Sequence, residues 1–175
     1  VDALAQVPGY RVNLNRIEAK AVLDDCGYVH LLAGNHFAPA DAAMFAYRQQ
    51  VGAQGIPALA IASLLAKKLV MGVQLVGLEV RVARHGNFGR DLSAARRNAR
   101  RFCNVAQLLG LDSMCIVTDG NRLLQPYIGR GEAILALARL LNGEDCPWLF
   151  EHASSCSEWV SALIKAPAAT RSDAA

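Results

Sequence analysis

Arg48, Ser63 and Lys67 are the residues of this chain whose types and spacing best suit chemistry. Ser63 and Lys67 stand four apart in an apolar, glycine-free run, so on a helix they share one face, about one turn from each other. Arg48 lies near the end of the preceding helical pattern. A hydroxyl, an ammonium and a guanidinium converging where a helical hairpin meets a sheet offer many donors, suited to carbonyl oxygens or an anion. The same residues have a plain reading: Arg48 a surface arginine, Ser63 bonding back to its own turn, and Lys67 beside Lys68 in solvent. A Ser–Lys nucleophile is the sharper alternative, but the sequence carries no oxyanion-hole motif to go with it.

The remaining candidates are simpler. Gly129-Arg130-Gly131 ahead of a helical pattern is a turn that offers an anion a helix N-terminus. His85 beside Arg84 is placed to meet a phosphate or simply water. His30, His36 and His152 are scattered, and no metal site is expected from them. Charge is uneven along the chain: residues 81–101 hold seven arginines against the single acid Asp91, a local +6, whereas the whole chain is +3 and the rest therefore −3. Such a basic segment suits phosphates, though Arg96, Arg97, Arg100 and Arg101 lie opposite an apolar stripe and also read as a solvated helix face.

These side chains need elements to hold them. Asn15 followed by Glu18 predicts a capped helix that Gly27 stops. Tyr28–Leu32 reads as a short strand. Helices are expected over Pro39–Gln50 and from Pro57 to about Met71, and a buried strand over Val73–Val82. From Leu92 to Leu109 the apolar residues Leu92, Ala95, Ala99, Phe102, Ala106 and Leu109 recur at helical spacing. Ser113–Asp119 reads as a strand, and Gly131–Leu141 and Glu158–Lys165 as helices. The class is therefore α/β, a partial sheet with right-handed crossover helices, plus a helical hairpin excursion at 39–71.

At 175 residues, the chain has room for one compact domain or one and part of another, given roughly 100–200 residues per domain. With 53% hydrophobic and 19% charged residues it can bury a core, which excludes disorder over most of its length. No apolar run approaches the ~20 residues of a membrane span, and no secretory leader is evident. Cys26, Cys103, Cys115, Cys146 and Cys156 form no C-x-x-C pair, so free buried thiols in a reducing cytoplasm are expected.

Several segments carry a resemblance. Phe37-Ala38-Pro39-Ala40-Asp41 through Phe45-Ala46-Tyr47-Arg48, then Ile56-Pro57 and Ala62-Ser63-Leu64-Leu65-Ala66-Lys67-Lys68-Leu69, resemble the thymidine and pyrimidine-nucleoside phosphorylase family, with its L-A-P-A-D…Y-A-L-R-D and I-P…A-S-I-L-S-K-K-L. Val7-Pro8-Gly9-Tyr10-Arg11-Val12 is similar to its I-P-G-F-x-V, and Thr118-Asp119-Gly120-Asn121 with Ile128-Gly129 to its T-D-M-N-Q-P-L-G…V-G. The likeness runs in order over roughly residues 2–145. Gly120 is closer to the AMP phosphorylase branch.

The resemblance implies a pentosyltransferase, a glycosyltransferase in which phosphate displaces the base of a pyrimidine nucleoside to give free base and (deoxy)ribose 1-phosphate. Arg48, Ser63 and Lys67 fall on the family's base-binding positions. No cofactor is implied, phosphate being co-substrate; a cytoplasmic homodimer is, with no membrane partner. The segments then read as α/β lobe over 1–37, helical lobe over 38–68, α/β lobe over 69–165 and a disordered tail over 166–175. The family's phosphate loop, K-x-S-x-G-G-x-G-D, and its acid–base histidine are expected upstream of Val1. No certain catalytic residue is therefore assigned here, and the chain alone is expected to be inactive, as a fragment.

Other positions depart from the family pattern: Gln49 for Asp, Arg81-Val82-Ala83-Arg84-His85-Gly86 for a lysine-valine-glycine turn, Arg122-Leu123 for Gln-Pro, and Ala136 for a metal-binding Glu of some bacterial relatives. A second reading is a degenerate, non-catalytic relative that binds nucleotides or nucleic acid through the 81–101 arginines. Phe88 is the one phenylalanine, tyrosine or tryptophan among them, too little to stack bases along the segment, which counts against nucleic acid as a partner.

Overall fold

The computed structural model describes residues 3–86, 88–122, 126 and 128–166. Among them lie a short 3-10 turn Leu4–Gln6, six α-helices and two strands: α1 Arg16–Cys26, α2 Pro39–Gln50, α3 Pro57–Val70, β1 Leu75–Val82, α4 Leu92–Leu108, β2 Asp112–Asp119, α5 Arg130–Leu141 and α6 Pro147–Lys165. The mixed α/β class expected from the pattern is the class observed. Among the described residues, no helix is long and apolar enough to cross a membrane. Of the tail expected over 166–175, Ala166 still bonds back to Ala162 of α6, and 167–175 lie outside the described residues.

Contacts divide the chain into two units, Val1–Ala42 with Leu124–Ser154, and Ala43–Leu123 with Ser155–Ala175. In the first, α1 begins with a capping box: the Asn15 side chain accepts from the Ile17 and Glu18 N–H groups while Glu18 accepts from the Asn15 N–H. That backbone N–H and the Arg11 guanidinium hold the Glu18 carboxyl below its ordinary range. Gly27 ends the helix at φ 69°, a left-handed conformation that costs glycine little. The strand expected over Tyr28–Leu32 does not form. Leu32 N–H reaches Val12 O at 2.8 Å, but no ladder continues from that bond, and β propensity without a paired edge makes no strand.

In the second unit, β1 and β2 pair in parallel from Leu75 opposite Asp112 to Val82 opposite Asp119. Parallel neighbours need a crossover, and α4 supplies it. Its Ala95, Ala99 and Ala106 are fully buried and its Phe102 nearly so, beside Val76 and Val80 of β1 and Cys115 of β2, with Ile61 and Leu65 of α3 in the same core. Alanine on that stripe lets the helix backbone approach the sheet, and Phe102 fills the remaining volume. On the other face of β1, Gly77 leaves room for Leu163 and Trp159 of α6. The last helix starts at Pro147 rather than at the expected Glu158: proline serves at a first helical position, and this start was hidden by the polar run Ser154-Ser155-Cys156-Ser157.

The connection from β1 to α4 is tightly packed. A Cβ at Gly86 would lie 2.3 Å from Arg81 O and 2.5 Å from Gly89 O, and one at Gly89 would lie 2.5 Å from Ala95 N, all backbone atoms that cannot step aside cheaply. Gly86→Ala is therefore expected to cost about 1–3 kcal/mol, the range of overpacking strain. At Gly131 a Cβ meets nothing within 4 Å, so Gly131→Ala is the matched control, and urea midpoints of the two variants check the difference.

Candidate functional site

Arg48 is buried, with 4% of its surface exposed, which corrects the plain reading of it as a surface arginine. It sits in the last turn of α2, just before the chain reverses toward α3, and Gly52 takes φ 66° in that reversal. Its guanidinium donates from Nη2 to Gln54 O at 2.9 Å, from Nη1 to Leu59 O at 3.2 Å and, more weakly, from Nε to Ala53 O at 3.5 Å. A planar fork of donors suits a turn whose carbonyls converge. Three of its five N–H groups are thus committed to the backbone, which leaves one on each terminal nitrogen for a further acceptor.

Ser63 and Lys67 meet as their spacing implies. Lys67 Nζ lies 2.7 Å from Ser63 Oγ and 3.3 Å from Ser63 O, with Ser63 buried and Lys67 half-buried. Lys67 is accordingly not the solvated lysine of the plain reading. An ammonium that donates to a hydroxyl oxygen cannot also take its proton, so the pair is built as donors rather than as nucleophile and base. With its oxygen accepting from Lys67, Ser63 keeps its O–H to offer elsewhere. The structure joins these two directly, whereas the bonds of Arg48 go to the carbonyls of residues 53, 54 and 59.

The carboxyl ends of the two strands hold a polar network that sequence reading missed. Glu79 accepts from Arg81 Nε and Nη2 at 2.9 and 2.8 Å, and its other oxygen accepts from Thr118 Oγ1 at 2.9 Å. Glu79 and Arg81 alternate onto one face of β1, which was legible; their pairing with Thr118 depends on register. The Glu79 carboxylate raises the pKa of Arg81 above its ordinary value. Asp119 then closes a turn by accepting from the Asn121 backbone and side-chain N–H groups, and Gly120 N–H bonds to Val82 O at 2.9 Å.

Elsewhere, Arg84, His85 and Arg130 are exposed, and Glu132 stands in the first turn of α5, close to Gly129. Among the described residues no three His, Cys, Asp or Glu side chains group as a metal site. All five cysteines are free thiols, but Cys26 and Cys156 are exposed, against the expectation that all are buried. Cys103 and Cys115 touch in the core, Sγ to Sγ 3.6 Å. Cys115 is pushed up by its neighbour and by burial, so Cys103, which also has the Ser113 hydroxyl as a donor, is the one that ionises first. In the first unit, Leu4, Tyr10, Leu14, Val22, Tyr28 and His30 bound a cleft of about 540 Å³, lined by none of Arg48, Ser63 and Lys67.

No protein-family model matches the chain. Curated proteins do. The thymidine phosphorylase of Sinorhizobium fredii is 28% identical over 144 residues, 82% of this chain and 33% of that protein. That of Agrobacterium fabrum is 30% identical over 143 residues, 82% of this chain and 32% of its own length. That of Burkholderia lata is 27% identical over 147 residues, 84% and 33% respectively. The chain spans about a third of the length of the curated relatives it matches.

Proposed function

We propose, for a chain similar to thymidine phosphorylases over 82% of its length, that it supplies the leaving-group side of a pyrimidine nucleoside phosphorylase site. In the reaction, a phosphate oxygen forms the bond to C1′ as the glycosidic C–N bond breaks, and the base departs with the electron pair. Negative charge grows on its ring nitrogen and carbonyl oxygens in the transition state. Donors fixed there stabilise the departing base more than the bound nucleoside, which is what catalysis requires.

The observation that carries this reading is the donor pair of Lys67 and Ser63, 2.7 Å apart on one helix face, in a segment with the family's order and spacing. Arg48 adds its two remaining N–H groups at the end of the preceding helix. Phosphate is the second substrate, no organic cofactor or metal takes part, and the full protein works as a cytoplasmic homodimer. Titration of the chain with thymidine, followed by NMR, tests the base site. Lys67→Ala is expected to weaken binding about tenfold or more, the worth of a hydrogen bond to a charged group. Unchanged affinity in that variant, or shifts confined to residues away from 48–67, would overturn the reading.

A further inference from the structure

Arg96, Arg97, Arg100 and Arg101 all stand exposed on α4, on the side away from the buried Ala95, Ala99, Phe102 and Ala106. At 3.6 residues per turn they cover about 140° of the helix circumference. Ser93, Asn104 and Gln107 share that side, and α4 contains no acid at all. Exposed Arg84 and Arg90 carry the charge into the preceding connection. Asp91 is the single acid from 81 to 111, and it is committed as the N-cap, accepting from Ala94 N–H at 2.8 Å.

This arrangement works against the helix that bears it. Arg96 with Arg100 and Arg97 with Arg101 are like charges four apart, and Arg97 with Arg100 are three apart; each is a repulsive neighbour contact. A face shaped only by solvation mixes its charges, as α1 does in pairing Lys20 with Asp24.

We propose that this face of α4 binds the phosphate backbone of duplex nucleic acid without reading its sequence. Guanidinium forks match phosphate oxygens, and a row of them spread across one helix face meets the closely spaced charges of a duplex. The shortage of stacking rings that counts against nucleic acid as a partner bears on unpaired bases; a duplex, whose bases already stack on one another, requires none on this face. The opposite side of α4 is packed on β1 and β2, so the helix lies across the phosphates rather than deep in a groove, and sequence is not read. The same packing consumes the apolar stripe that an interfacial membrane helix would have to insert.

Anisotropy of a short, mixed-sequence, end-labelled DNA duplex, measured with the whole chain over a salt series, tests this. Four phosphate contacts predict a slope of log affinity against log salt of about −3.6, at −0.9 per contact. The double variant Arg96→Ala/Arg97→Ala is expected to lose about half of that slope. The double lysine variant at the same positions is expected to keep it, and Arg139→Ala, on α5, to leave it unchanged. Because Arg96 and Arg97 are exposed, the variants should keep the parent's far-UV circular dichroism. Absence of binding at low salt, a slope indifferent to the double alanine variant, or a preference for single strands or phosphatidylserine vesicles over the duplex would each overturn the proposal.

Discussion

Replacing Arg48 by alanine is expected to lower the free energy of unfolding by about 3–5 kcal/mol, because three backbone carbonyls lose a charged donor and hydrogen bonds to charged groups contribute about 1.5–3 kcal/mol each. The three involved, of Ala53, Gln54 and Leu59, all lie in the turn and first helical residues that set α3 against α2. Arg48→Lys is expected to recover only a small part of the loss, since an ammonium on a flexible stem cannot present the planar fork those carbonyls meet. Urea midpoints of the two variants check both values. A midpoint like the parent's would mean that water replaces the guanidinium there, and that Arg48 is kept for a ligand rather than for the fold. The size of the effect also governs how activity is read: loss of function at Arg48 cannot be assigned to base binding without a measurement of folding beside it, whereas Lys67, half-buried on an intact helix, can be tested directly.

The second large effect concerns turnover. Residues 1–175 by themselves, given thymidine and inorganic phosphate, are expected to release no thymine. No K-x-S-x-G-G-x-G-D loop occurs among these residues, and holding the phosphate in line behind C1′ is worth on the order of 7–11 kcal/mol in favourable intramolecular systems. Donors at Lys67 and Ser63 assist the leaving base but do not position the nucleophile. Activity is expected when a segment bearing such a loop is supplied, and chromatography of the released base reads it. Phosphate-dependent release by these residues alone, abolished by Lys67→Ala, would place a phosphate site within them, with Arg84, His85 and Arg130 the first side chains to replace.

What the sequence determined by itself is what depends on near neighbours along the chain. The capping box of Asn15 and Glu18, the stop at Gly27, the apolar stripe of α4 and the meeting of Ser63 with Lys67 follow from helix geometry, which repeats over three or four residues and needs no other segment. The arginine face of α4 was legible for the same reason. The tertiary structure decided the rest. Tyr28–Leu32 has strand-like composition, but a strand exists only where another backbone pairs with it. Arg48 has the composition of a surface residue, and only the path of the turn after it brings three carbonyls to its guanidinium. Glu79 and Thr118, separated by 39 positions, share a hydrogen bond because the β1–β2 register sets them within reach, and Cys103 touches Cys115 because α4 packs on β2. Residue type and local period state which side chains can bond; contacts between distant segments decide which of them do, because those distances are set by packing and not by the covalent chain.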